Sequence, residues 1–233
     1  MTAVTGPRRG RPPRGAAQLS KASVVDAALS VIDDDGMDAV SMRSVAKSLG
    51  VDAKSLYNHV ADKEDLLDAV AERILGSMRL PTPGGDVRAD LLAIGHAFRG
   101  VALAHPRAAP LVLTRRLDSN AGLAPVEATL RVLRAAGFSA QESVHVMRAL
   151  LATMVGTLLR EVDATPSYGT LGESAIAQRT ADLSASGFRA VAEAAGTLAR
   201  LDSDAEYEFT LEFAIDAVVS RIAAMVRGGS SAG

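Results

Sequence analysis

The chain has 233 residues, 48% of them hydrophobic and only 3% aromatic, which excludes a disordered chain and favours helix over sheet. It contains no cysteine, so disulfides, thiolate metal sites and cysteine nucleophiles are excluded, and no apolar run is long enough to cross a bilayer. The N-terminus lacks the apolar core of a signal peptide, so the expected location is the cytoplasm, and the expected fold class is all-α.

The net charge of −2 is unevenly distributed. Arg8, Arg9, Arg11, Arg14 and Lys21 precede the first acid, Asp26, which leaves −7 for the rest of the chain. Residues 1–19 therefore read as a basic arm of arginine, glycine and proline, too polar to pack a core. It suits a phosphate backbone or a minor groove, or else serves as a solubilising tail.

The first helical pattern runs from about Ser20 to Asp35, with Val25, Ala28, Leu29 and Ile32 on one face and Gly36 as a stop. Ser41 is the expected N-cap of a second helix with Met42, Val45, Ala46 and Leu49 as its stripe, and Gly50 supplies a left-handed turn. Asp52 then caps a third helix whose Leu56 and Val60 lie four apart. Two short helices joined by a glycine turn make a helix-turn-helix. With Leu56 and Val60 inward, Lys54, Ser55, Tyr57, Asn58 and His59 take the other faces: Lys and Asn suit base edges, Ser, Tyr and His suit phosphates. Asp62 caps a fourth helix and leaves Lys63 in its first turn, where exposed N–H groups and an ammonium suit a phosphate. Tyr57 and His59 taken singly also fit a partly packed role. A metal site at His59 is disfavoured because Lys63 stands at i+4.

The run "VSMRSVAKSLGVDAKSLYNHVADKEDLLDAVAERIL" resembles the DNA-binding domain of the Tet repressor family, through the Gly50-Val51 turn, Leu56-Tyr57, His59, Lys63 and Leu66-Leu67. The resemblance implies that Arg43, Lys54, Ser55, Tyr57, Asn58, His59 and Lys63 face double-stranded DNA. Lys54 and Asn58 depart from the tetracycline-responsive members, so their operator does not carry over.

The break "PTPGGD" sets the expected boundary between a head, residues 20–80, and a larger helical unit, residues 81–227, followed by a tail at 228–233. Helices are expected over about Asp86–Leu103, Pro106–Leu113 and Leu123–Ala136, with Pro125 in the first turn of the last. Ser139/Glu142 and Ser203/Glu206 both read as capping boxes. The helix from Ser139 carries a stripe of Val144, Met147, Leu151, Met154, Val155, Leu158 and Val162, with Leu150 and Leu159 off it. The helix from Ser203 carries Tyr207, Leu211, Ile215, Val218, Val219, Ile222 and Val226, with Phe209 and Phe213 off it. Helices apolar on more than one side must be covered on more than one side. They are either two central core helices or half of a four-helix bundle formed with a second subunit.

These segments look like the regulatory domain of the Tet repressor branch, which implies a homodimer with Met147, Leu151, Met154, Val155 and Leu158 of one helix and Leu211, Ile215, Val218 and Ile222 of the other at its interface. The segment 163–187 is polar and broken, and reads as a cover over a pocket or as a variable loop. The resemblance also implies a ligand pocket, for which His96, Phe98, Leu113, Leu130, Met147, Met154 and Tyr168 are candidates, each of them better suited to plain core. A counter-charge is expected from Arg116, Arg148 or Arg160. Met78, Val112 and Arg160 stand where the tetracycline-responsive members hold drug and metal, so no magnesium-tetracycline chelate is expected. The effector should be a small, mostly apolar molecule, aromatic or anionic. No nucleophile elbow, paired-histidine metal motif or phosphate loop surrounds the four histidines, so no catalytic residue, cofactor or metal is expected.

Overall fold

The computed structural model describes residues 19–115, 120–162 and 172–230, and every described element is a helix. Helix α1 (Lys21–Asp35) opens on Ser20, whose side chain accepts from the Ser23 N–H while Ser23 reciprocates, and it buries Val24, Val25, Ala28, Val31 and Ile32. A 3-10 turn (Met37–Ala39) leads into α2 (Met42–Leu49), closed at its start by the same reciprocal Ser41/Ser44 pair. Gly50 ends α2 at φ 67°, the left-handed region that favours glycine, and its N–H returns to the carbonyls of Ala46 and Lys47. Asp52 accepts from the Lys54 N–H at 2.7 Å and opens α3 (Ala53–Leu56). The helix expected to reach Val60 is thus regular for only four residues. The chain then tightens, with the His59 N–H on the Leu56 carbonyl at 2.8 Å and the Val60 N–H on the same oxygen at 3.1 Å.

Helix α4 (Lys63–Gly76) buries Leu66, Leu67, Ala69, Val70, Ala71, Ile74 and Leu75, more than one stripe can hold. One side packs on α1 and the other on α6 and α7. The "PTPGGD" break then folds back, because the buried carboxylate of Asp90 accepts from the N–H groups of Gly84 at 2.7 Å and Gly85 at 3.1 Å. Asp86 caps α5 (Val87–Ala104), and α6 (Ala109–Thr114) follows. Helix α7 (Asn120–Ala135) begins three residues before the expected start, so Pro125 lies inside it rather than in its first turn.

Helices α8 (Ala140–Val162) and α12 (Ser203–Ser230) pack against each other, and α12 also packs on α5. The Ser139 box is present: Ser139 Oγ accepts from the Glu142 N–H at 3.2 Å, while the Ser139 N–H donates to Glu142 Oε2 at 3.1 Å. The expected Ser203 box is replaced. Asp202, one residue earlier, accepts from the Ala205 N–H at 3.1 Å, and Ser203 becomes the first helical residue. Between them the broken segment contains a helix the sequence reading did not place, α9 (Glu173–Ser184), followed by α10 (Arg189–Glu193) and α11 (Ala195–Leu198). Helix α9 has no buried residue, which is why its pattern looked like loop.

A partly buried clamp joins α5, α8 and α12. Arg99 donates to Glu161 Oε1 at 2.5 Å and Oε2 at 3.1 Å and also to Asp204, and its guanidinium lies 4.8 Å from the centre of the Tyr207 ring. The hydrogen bonds to Glu161 raise Arg99 above its ordinary range, so it stays charged. Tyr207 is fully buried and donates to the Gly95 carbonyl at 2.8 Å, while burial pushes its phenol up. A Cβ at Gly95 would stand 2.7 Å from Leu211, so this glycine permits the approach of α5 to α12.

Of the expected interface residues, Met154, Leu158, Leu211, Ile215 and Val218 are already covered within one chain, at 8% exposure or less, so they serve its own core as well. Leu158→Ala should accordingly lower the unfolding free energy by about 2–5 kcal/mol through cavity formation. Denaturant titration at several protein concentrations checks it; a loss that disappears at high concentration would place Leu158 at a subunit contact instead.

Candidate functional site

Two regions gather functional chemistry, the helix-turn-helix and a cavity in the larger unit. In the first, Leu56 and Val60 are buried as their spacing requires, which turns their neighbours outward. Tyr57 is 54% exposed, Arg43, Lys54, Asn58 and Lys63 are exposed, and Ser55 and His59 are half-buried. Residues 41–63 hold four cations, Arg43, Lys47, Lys54 and Lys63, against two acids, Asp52 and Asp62. Both acids are spent on helix caps, Asp52 on the Lys54 N–H and Asp62 on the Asp65 N–H at 2.9 Å. Among the described residues none of these four cations has a carboxylate partner, so the face they share carries a net positive charge. The arginines of the arm, Arg8, Arg9, Arg11 and Arg14, lie outside the described residues, as do Arg116 and Tyr168.

The cavity, about 80 Å³ and open on one side, lies between α5, α7, α8 and α12. Its walls include Met78, just beyond α4, Leu91, Ile94 and Phe98 of α5, Met147, Leu150 and Met154 of α8, and Leu211 and Ile215 of α12. Val126 and Thr129 complete it from α7. The Thr129 hydroxyl donates to the Pro125 carbonyl at 2.9 Å, so it can offer a ligand only its lone pairs. No charged side chain lines the cavity among the described residues.

Of the expected pocket residues, Phe98, Met147 and Met154 line this cavity. His96 does not: it is exposed, on the other side of α5, with Nδ1 3.5 Å from Glu208. Leu113 is buried on α6 but takes no part in the walls. Leu130 faces a separate surface groove with Arg131, Arg134 and Val144. Arg148 is exposed, and Arg160 lies by a small cleft with Thr157 and Glu206, so neither supplies a charge to the cavity. Leu91 and Ile94 were not among the candidates although α5 carries their signal, because Leu91, Ile94 and Phe98 repeat at i, i+3 and i+7 and His96 falls off that line. Met78 fills a wall position and Val112 is buried, and among the described residues no group of acids and histidines is placed to hold a metal ion.

Residues 24–70 match the family described as bacterial regulatory proteins, tetR family, and residues 80–222 match the tetracyclin repressor-like C-terminal domain. The chain belongs to the tetR family. An HTH-type transcriptional regulator of Saccharopolyspora erythraea is 36% identical over 144 residues, 61% of this chain and 61% of that protein, so the match spans about three fifths of that relative. The tetracycline repressor protein class D of Escherichia coli is 32% identical over 64% of this chain and 69% of its own length. Among solved structures, the tetR-family protein ActR of Streptomyces coelicolor, in complex with actinorhodin, superposes with TM-score 0.78 at 27% identity, covering 88% of this chain and 99% of that one. BioQ, with its natural double-stranded DNA operator, superposes with TM-score 0.54 at 32% identity over 63% of this chain and 88% of its own.

If the cavity is a binding site for uncharged apolar molecules, Val126→Trp should fill it from the α7 side. Binding of the neutral fluorophore N-phenyl-1-naphthylamine is expected to weaken roughly tenfold, the scale of about 1.4 kcal/mol, with the thermal melt retained. Unchanged binding would place the probe elsewhere.

Proposed function

We propose that the chain is a ligand-responsive transcriptional repressor that binds a palindromic operator as a homodimer and is released by a small apolar or aromatic effector. The observation that carries this reading is the outward cluster of unpaired cations on the helix-turn-helix, with both of its acids spent on caps. With its two acids engaged in caps, the cluster presents a net positive, outward face of the kind that neutralises backbone phosphates.

In this reading residues 20–80 are the head and 81–227 the effector-binding and dimerisation unit. Lys54 and Asn58 address base edges, and Arg43, Ser55, Tyr57, His59 and Lys63 hold phosphates. The arm from Arg8 to Arg14 follows the backbone or the minor groove. The family membership supports regulation rather than catalysis. The names of the relatives support the partners: one is a tetracycline repressor, ActR is complexed with actinorhodin, and BioQ with its operator. No described helix is long and apolar enough to cross a membrane, in keeping with work in the cytoplasm. An effector for this chain would be held by shape and apolar contact, since the walls offer methionine, leucine and one phenylalanine around a single hydroxyl.

For the dimer, α8 and α12 leave apolar side chains uncovered. Leu151 is 41% exposed, and Phe209 and Phe213, both 68% exposed, stack with ring centres 6.0 Å apart. Val155 and Ile222 of the expected interface are half-buried and available for the same purpose. Exposed aromatic surface of this kind is costly unless covered.

Two measurements test this. Selection of genomic fragments at physiological salt should enrich a palindrome; Asn58→Ala should relax its sequence preference, and Lys63→Ala should weaken binding evenly with a smaller salt slope. Recovery of no sequence would contradict the repressor. Leu151→Asp with Phe213→Asp should give a monomer in sedimentation velocity and lose operator affinity at least a hundredfold, because two linked heads bind far more tightly than one. A variant that remains dimeric would move the interface elsewhere.

A further inference from the structure

Helix α4 begins at the proposed phosphate anchor Lys63, yet the next residues are acidic: Glu64, Asp65 and Asp68 lie within five positions of it. Left bare, three carboxylates there would repel the DNA backbone. Each has a partner, and the partners come from two different places. Asp65 is held inside the head, accepting from the Ala61 N–H at 2.7 Å and lying 3.7 Å from Lys21 of α1. Glu64 and Asp68 are held from outside it by one residue, Arg115, the C-terminal cap of α6. Arg115 donates to Glu64 Oε2 at 2.6 Å and to Asp68, and its side chain is 21% exposed. The two carboxylates stand one turn apart on α4, the spacing a forked guanidinium spans.

Resting on the regulatory reading above, we infer that Arg115 is a positioning residue that masks Glu64 and Asp68 beside Lys63, so that displacement of the end of α6 unmasks two negative charges on each head. The head is competent for DNA only while the larger unit supplies this cation. Helix α6 packs on α4, α5 and α8, and the last two carry cavity walls, so a ligand that shifts them shifts the end of α6 as well. Release then has an electrostatic part beside any change in the spacing of the heads. A ligand achieves it only by favouring the arrangement in which Arg115 has left α4.

The charge account differs from a purely mechanical strut in one respect: neutralising the acids should replace the arginine. With the selected palindrome as probe, fluorescence anisotropy would compare the wild type, R115Q, E64Q/D68N and the triple variant from 0.05 to 0.3 M salt, with melting curves for each. R115Q is expected to bind roughly tenfold more weakly at 0.15 M salt, the deficit shrinking as salt screens the bared carboxylates. The triple variant should recover wild-type affinity, and E64Q/D68N alone should match or exceed it. If R115Q fails to fold, the E64Q/D68N result carries the test, and weaker binding by it overturns the inference. R115Q binding as tightly as the wild type, or a triple variant as weak as R115Q, overturns it as well while leaving the repressor reading intact. A wild type that selects no sequence overturns both.

Discussion

The structure depends on one constraint, that α4 is apolar on two sides and both must be covered at once. Leu66, Leu67, Val70, Ala71, Ile74 and Leu75 cannot all face α1, so α4 completes the helix-turn-helix on one side and is covered by α6 and α7 on the other. The head is therefore not a bead on a linker. Its last helix is also the first core element of the larger unit, and the residue just past it, Met78, is a wall of the cavity. Whatever changes the packing in that cavity acts on one end of a rod whose other end carries Lys63.

A second layer of contacts holds the two parts in register. His105 Nδ1 lies 2.9 Å from an Asp33 carboxylate oxygen, and Arg107 donates to the backbone carbonyls of Asp33, at 3.0 Å, and Asp34. The acids that end α1 would be unfavourable beside its free carbonyls, and the turn after α5 brings the Arg107 guanidinium to those carbonyls and an imidazole nitrogen to Asp33. With Arg115 on α4, the larger unit thus reaches the head at two separated points, both through side chains next to the ends of α5 and α6. The Arg99 clamp with Glu161, Asp204 and the buried Tyr207 ties α5, α8 and α12 together at the edge of the core.

Much of this was legible in the sequence where a single residue decides the outcome. Gly50 marks the turn because only its left-handed backbone brings α3 round, and Ser139 with Glu142 marks the start of α8 because no other acceptor competes there. The Ser203 box failed where one did: Asp202 stands a residue earlier and its carboxylate takes the cap. Leu150 and Leu151 show what a stripe leaves open: both fit an apolar side of α8, yet Leu150 is covered and Leu151 is left 41% exposed, which depends on the neighbouring helices rather than on spacing. Cavity walls are hardest to read because they come from four helices and look like core in each; His96 drew notice for its chemistry and proved to face outward. Helix α9 was hidden because its partly buried Ile176, Thr180 and Leu183 make too thin a stripe to stand out from loop.

The central claim is that cavity and head are coupled through α4, and hydrogen exchange tests it directly. With saturating N-phenyl-1-naphthylamine as the cavity probe, amide protection should change over residues 63–70 as well as over the walls in α5 and α8, because a helix packed on both sides cannot be moved at one end alone. A change confined to the walls, with residues 63–70 exchanging as in the free protein, would contradict the coupling.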